Sequence, residues 1–426
     1  MAIESQMALR YNRYRCINHP TEGEIMKTVS VVLAGIGGYG RLSVMPLLKD
    51  ASDHGAKLVA CVDPFPEKCQ FIGELQAANV PIYPNLEAFY AEMHADLAVL
   101  ATPIHLHCEQ SVYCMEHGSH VLCEKPVCST LPDAKIMAEA EARLGKCLHI
   151  GYQWSHSAAV TQLKADIAAG LLGRPKYMKT LICWPRNKAY FARGWAAKWR
   201  TAEGEYILDS IAMNATAHYI HNMLYLLGNA PDKAAEPRSI TAETYRVNNI
   251  ESYDTAALRI IAEDGTPLFY TATHGCDENY GPVFEYAFEN ATVTYDEMQE
   301  GRFIARFADG TVKDYGSPAD GPLAKLWNAI DTARGEGRKF CGVETSVPHL
   351  RCINGLAESV PVHTVSRDML TYDEKKELLY LPGLSEALKG CYRDMLLPSE
   401  AGLSFAHPAV TFSVRPGYTF NGLMED

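Results

Sequence analysis

Three groups of residues carry types and spacings suited to chemistry. The first is Gly35-Ile36-Gly37-Gly38-Tyr39-Gly40, which fits G-x-G-x-x-G, follows an apolar β-branched run and opens a helical stretch. In that setting the first glycine permits a tight turn. The second lets backbone approach a pyrophosphate, and the third allows close helix–strand packing. The helix N-terminus adds N–H groups and a partial positive charge for phosphates. Asp63 ends the next strand, 23 residues beyond Gly40. A carboxylate there accepts hydrogen bonds from both ribose hydroxyls and repels a 2′-phosphate, so NAD is favoured over NADP. By itself Asp63 reads equally well as a turn residue before Pro64.

The second group is Asn214, His218 and His221 in the stretch Asn214–Leu227. Spacing of i, i+4 and i+7 puts them on one face of a helix, with Ile220, Met223, Leu224 and Leu227 forming the opposite apolar stripe. Gly228 is expected to close that helix as a C-terminal cap. Two histidines at i, i+3 could share a metal, but no third ligand is signalled, so no metal site is expected. The third group runs from Trp184 to Arg200 and interleaves Trp, Tyr and Phe with Arg and Lys.

The elements that must position these groups follow from periodicity. TVSVVLAG (28–35), KLVACVD (57–63), DLAVLAT (96–102), SHVLCEK (119–125) and KCLHIGY (146–152) read as buried parallel strands. Helical stretches lie between them at Arg41 to about Ala51, His107–Gly118 and 131–144. Strands alternating with helices imply βαβ units and a doubly wound parallel sheet. Beyond residue 153 the texture changes. PKYMKTLICW, RSITAETYRV, TAALRIIAEDG, TPLFYTATHG, FEYAFEN, ATVTYD and RFIARFADG read as strands, several ending in Asp-Gly or Asn turns. Few helices interrupt 238–312, so the second half is expected to be α+β with a large, mostly antiparallel open sheet. The section 322–396 reads as helical. The expected division is an N-terminal extension over 1–26, a dinucleotide-binding Rossmann domain over 27–152 and a substrate-binding and oligomerisation domain over 153–426.

Bulk properties narrow the partners. A chain of 426 residues, 47% hydrophobic, can fill two cores. Its 39 Lys and Arg against 51 Asp and Glu give a formal charge of −12, which repels phosphate backbones and argues against nucleic acid. No apolar run approaches the ~20 residues of a membrane span, and the N-terminus lacks a secretory apolar region. The 13 cysteines are odd in number and without C-x-x-C spacing, and Cys61, Cys123 and Cys183 sit in apolar runs. They read as reduced core thiols of a cytoplasmic protein.

Two further signatures lie at strand ends: Ala101-Thr102-Pro103 with His107, and Glu124-Lys125-Pro126. Together with the glycine loop and Gly151-Tyr152-Gln153 they resemble the Gfo/Idh/MocA family of NAD(P)-dependent sugar and polyol oxidoreductases, over about residues 27–360. The resemblance implies that Lys125 touches the nicotinamide ribose and the reacting hydroxyl, where an ammonium stabilises developing negative charge. It also implies that Thr102, Pro103 and His107 line the adenosine-ribose side, that Glu124 lies near the cofactor ribose, and that Gln153 approaches the carboxamide.

In the family, the helix facing the nicotinamide carries an Asp and then a His four residues later. His218 matches that His and is the candidate general base. Asn214 stands in place of the Asp, so either Lys125 carries more of the proton transfer or another carboxylate, such as Asp209, substitutes. Tyr190, Trp195 and Lys198 are expected to line the substrate pocket, with Asn214, His218 and His221 alongside. His274 and Glu278 are weaker candidates. The activity implied is hydride transfer between NAD and a hydroxyl of a sugar, polyol or glycoside, in a homodimer or homotetramer. The alternatives are glycoside cleavage with tightly bound NAD, through transient oxidation, elimination and reduction, and a non-catalytic NAD and sugar sensor.

Overall fold

The computed structural model describes residues 27–415 and 417–424. The extension expected over 1–26 lies outside the described residues. The chain forms two compact units, each discontinuous in sequence. The first takes the described residues up to Glu124, then Lys135–His156 and Pro322–Val343; the second takes Lys125–Ala134, Ser157–Gly321 and the chain from Glu344 onward. A single cut at 152/153 is therefore too simple. The segment Pro322–Val343 returns to the first unit, and Lys125–Ala134 belongs to the second.

In the first unit, β1 (Val29–Ala34), β2 (Ala56–Val62), β3 (Ile82–Tyr83), β4 (Leu97–Leu100), β5 (His120–Cys123) and β6 (Leu148–Ile150) form one sheet in the order β3-β2-β1-β4-β5-β6. Every pairing is parallel. Strands this apolar suit a sheet covered on both faces, and β4 and β6 are buried along their whole length. The order reverses between β1 and β4. Ligand crevices of open α/β sheets form at the carboxyl ends of such a pair, here at Gly35 and at Ala101–Pro103.

The stretch 64–95 holds β3 and two short α-helices, Ile72–Ala77 and Leu86–Glu92. The second of these is capped by Asn85, whose side chain accepts from the Ala88 amide at 2.8 Å. The returning helix Ala324–Ala333 buries Leu326, Ala329 and Ile330 in the same core as Val31, Leu33, Leu97 and Val99.

In the second unit, β7 (Pro175–Cys183), β8 (Pro237–Arg246), β9 (Thr255–Ala262), β10 (Pro267–Thr273), β11 (Tyr280–Phe288), β12 (Ala291–Asp296), β13 (Phe303–Phe307), β14 (Val312–Gly316), β15 (Val362–Thr364) and β18 (Val410–Ser413) build a ten-stranded sheet. Its order is β14-β13-β12-β11-β7-β10-β9-β8-β15, with β18 also on β8. Only β7–β10 and β15–β8 pair parallel, so the expected mostly antiparallel sheet is present. The section 322–396 is not uniformly helical. It contains β15 and a hairpin of β16 (Thr371–Asp373) and β17 (Leu378–Tyr380) between the helices Val343–Ser359 and Leu384–Asp394.

The stretch expected as one helix over Asn214–Leu227 is two pieces. A π turn spans Ile211–Ala215, with the Thr216 amide bonded to the Ile211 carbonyl at 3.0 Å, and the α-helix begins only at Ala217. Asn214 and His218 therefore belong to different elements, and simple i, i+4 geometry does not relate them. Gly228 is not a left-handed cap either; its φ is −65° and ψ 141°. It is glycine because any Cβ would collide with the Lys233 carbonyl.

Candidate functional site

In the first unit the glycine loop links β1 to the helix Arg41–Lys49. Gly35 has φ +85°, and a Cβ there would lie 2.5 Å from the Ala101 carbonyl oxygen, so this turn and its approach to β4 both require glycine. Ile36 is fully buried in the core, so only its backbone belongs to the loop. A Cβ on Gly38 would meet nothing within 4 Å, which marks the open side. Among the described residues, the amides of Gly38 and Tyr39 meet no protein acceptor. Asp63 stands where the sequence places it. Its Oδ2 accepts from the Gly37 amide at 3.1 Å and its Oδ1 from the Phe65 amide at 2.9 Å. A pyrophosphate with an adjacent ribose fits this cradle: open amides for the anion, and a carboxylate anchored beside them for the diol.

At the end of β4, the Thr102 hydroxyl donates to Gln110 Oε1 at 2.6 Å. The His107 ring is buried at 1% exposure with Nε2 2.9 Å from the Thr102 carbonyl oxygen, so it braces the Thr102–Pro103 turn from inside. Glu124 forms a buried ion pair with Lys325, a residue the sequence reading missed. Burial works against the Lys325 ammonium, but Glu124 and Tyr39 outweigh it and its pKa ends raised. Lys325 also lies 4.9 Å from the centroid of the Tyr39 ring, and the Tyr39 hydroxyl donates to Gln153 Oε1 at 2.8 Å. Glycine loop, Glu124 and Gln153 are thus tied together through Lys325 and Tyr39. A signal existed, since Lys325 adjoins the apolar stripe of Leu326, Ala329 and Ile330, and a lysine there must find an anion.

In the second unit, half-buried Lys125 donates from Nζ to the backbone carbonyl and the Oδ1 of Asn214, both at 2.8 Å. The Asn214 Nδ2 donates in turn to Asp209 Oδ1 at 3.0 Å. Asp209 is 4% exposed, its Oδ2 accepting from the Ala197 amide. Burial raises the Asp209 carboxyl to about 6, against the lowering effect of the Ala197 and Asn214 donors and the charges of Arg193 and Lys125. Because an ionised Asp209 only accepts, it turns the amide nitrogen of Asn214 toward itself and the amide oxygen toward Lys125.

His218 occupies the first turn of the helix Ala217–Leu227 and is partly exposed. His221 is not on an open face: it is 2% exposed and stacks on Tyr225, with ring centroids 5.8 Å apart. Tyr190 lines an open cavity, whereas Trp195 and Lys198 are not among its walls. Lys198 contributes its carbonyl to the Asp209 amide at 3.0 Å. His274 is buried against Tyr190, and Glu278 is paired with Lys389.

A parallel sheet of this order with an anchored carboxylate beside a glycine loop defines a dinucleotide-binding Rossmann domain. Residues 29–152 match the family profile described as oxidoreductase family, NAD-binding Rossmann fold. Inositol 2-dehydrogenase of Rhodococcus erythropolis is 35% identical over 136 residues, 32% of this chain and 38% of that protein. The 2,7-anhydro-N-acetylneuraminate hydratase of Mediterraneibacter gnavus is 27% identical over 211 residues, 49% of this chain and 52% of that protein. The chain thus spans about half or less of the length of the curated relatives it matches. Among solved structures, the WlbA dehydrogenase from Bordetella pertussis, in complex with NADH and UDP-GlcNAcA, superposes with a TM-score of 0.62 at 23% identity, covering 77% of this chain and 94% of that one. That likeness extends the shared fold across both units.

Proposed function

We propose that the protein is an NAD-dependent oxidoreductase acting on a hydroxyl of a sugar, polyol or glycoside. The observation that carries this reading is the ammonium of Lys125, held by Asn214 and through it by buried Asp209, on the residue that directly follows Glu124. The relatives' names, an inositol dehydrogenase and a 1,5-anhydro-D-fructose reductase among them, support the substrate class. When bound, the nicotinamide supplies the hydride acceptor or donor.

The chain's own residues then have these tasks. The amides of Gly38 and Tyr39 bind phosphate oxygens, and Asp63 binds the ribose diol and disfavours a 2′-phosphate. Lys125 stabilises negative charge on the alcohol oxygen, and His218 takes the hydroxyl proton. Asn214 orients the amine without bringing a second charge to it. The negative charge that the family's Asp would carry sits one hydrogen bond further back, on Asp209. General acid–base groups contribute on the order of 10²–10⁴-fold.

NADH formation from NAD⁺, followed by absorbance across a panel of polyols, sugars and glycosides, tests the reading. Turnover with at least one compound is expected in the wild type. It should fall about 10³-fold in Lys125→Met while NADH binding is retained. No turnover on any compound, or full activity in Lys125→Met, overturns it.

A further inference from the structure

The second unit contains an open cavity of about 540 Å³ lined by Pro185, Arg186, Asn187, Tyr190, Lys376 and Leu378. That volume is within the ordinary range for small-molecule sites. Two of the six walls are cations and none is an anion. The Arg186 guanidinium lies 5.5 Å from the Trp184 ring centroid and 5.1 Å from that of Tyr190, and donates to the Pro185 carbonyl at 3.1 Å. Among the described residues no carboxylate pairs with it. A guanidinium packed on aromatic faces keeps a rigid edge of N–H donors, the geometry that grips a carboxylate or phosphoryl group in a bidentate manner.

Lys376 enters from the turn between β16 and β17, with its ammonium only 3.8 Å from Asp373 and its side chain 65% exposed. The neighbouring Glu377 contributes its backbone carbonyl to the Lys188 amide at 3.1 Å, and its side chain is not among the cavity walls. His274, packed on Tyr190, is pushed down to about 3 by burial and then by the charges of Arg186 and Arg193, despite its bond to the Trp184 carbonyl. The segment carrying Arg186 and Tyr190 continues to Ala197 and Lys198, whose backbone groups bond Asp209 of the Lys125 network.

We propose that this cavity is an anion subsite, in which Arg186 and Lys376 bind a carboxylate or phosphoryl group of an acidic sugar derivative. This rests on the sugar-oxidoreductase reading and narrows its substrate class. The test is calorimetric titration of the full chain, loaded with NAD⁺, with three probes: glucuronate, glucose 6-phosphate and neutral glucose.

At least one anionic probe should bind about tenfold or more tightly than glucose, and the difference should shrink as salt is added. The stronger of glucuronate and glucose 6-phosphate tells carboxylate from phosphoryl. Arg186→Met and, separately, Lys376→Glu should each weaken that probe by about tenfold and leave glucose unchanged. Lys376 is a surface side chain, so its variant keeps the test open if Arg186→Met fails to fold. Equal binding of all three probes, no binding of either anionic probe, or unaltered binding in Lys376→Glu overturns the subsite. NADH binding is measured on the same samples: its absence counts against the dinucleotide reading, whereas its presence without anion preference counts against the subsite alone.

Discussion

At Asn214 a single amide stands where the family resemblance leads one to expect an acid, and a carboxylate is hydrogen-bonded to that amide. Asp209 lies behind the amide, buried, and ionises only above about 6. Protonating it removes one of the two oxygens that accept from Ala197 and Asn214, so the grip on Asn214, and through it on Lys125, loosens as pH falls. The wild type should therefore show an acid limb in kcat near pH 6. Asp209→Asn should change the shape of that limb, leaving only the part set by protonation of the proposed base His218, with a lower plateau and an unchanged KM for NAD⁺, because Asp209 acts through Asn214 and touches no ligand. Steady-state pH profiles of both proteins decide this; an identical limb in the variant removes Asp209 from the reaction. Asp209 was among the substitutes the sequence offered, but its bond to Asn214 and the burial of His221 were not legible locally. Both depend on how the chain breaks into a π turn before Ala217, which helical spacing does not encode.

The element with the largest unexpected role is the helix Ala324–Ala333. It joins the first unit from 201 positions beyond the end of β5 and delivers Lys325 to Glu124. Both partners are about nine-tenths buried or more, so removing one leaves an uncompensated charge in a low-dielectric setting. Lys325→Met should cost about 3–5 kcal/mol in urea unfolding, and adding Glu124→Gln should recover part of that loss. Equal stability of wild type and Lys325→Met would show that solvent reaches the pair. The helix was readable from its apolar stripe, but its docking partner was not, since amphipathic patterning says that a face is buried and not against what.

For the molecule as a whole, buried histidines govern behaviour in acid. His156 and His349 are lowered to about 4 and His274 to about 3, each mainly by burial, and His149 is lowered well below its ordinary value for the same reason. They are neutral in the fold, whereas unfolded histidine titrates near ~6.5. Below that pH the unfolded chain binds more protons, so stability falls as pH drops from ~6.5 toward 4. His156, His349 and His274 are each worth roughly 3–5 kcal/mol once their folded values are passed, and His149 adds to them in the same direction. Asp209, with a raised pKa, works in the opposite direction over about 4 to 6, with roughly 3 kcal/mol, so the histidines prevail. Calorimetric Tm should fall by roughly 10 °C or more between pH 6.5 and 4.5; a flat Tm over that range would contradict it.

Local order sufficed for the glycine loop, Asp63, most strands of both sheets and the family likeness, because turn chemistry and side-chain periodicity are properties of adjacent residues. Pairings across long stretches of chain were settled only in three dimensions: Lys325 with Glu124, and Lys125 with Asn214, itself bonded to Asp209; so was the lining of one cavity by Arg186 and Lys376, 190 positions apart. A buried or clustered charge is stable only beside its partner, and which residues become neighbours is a consequence of how whole elements pack.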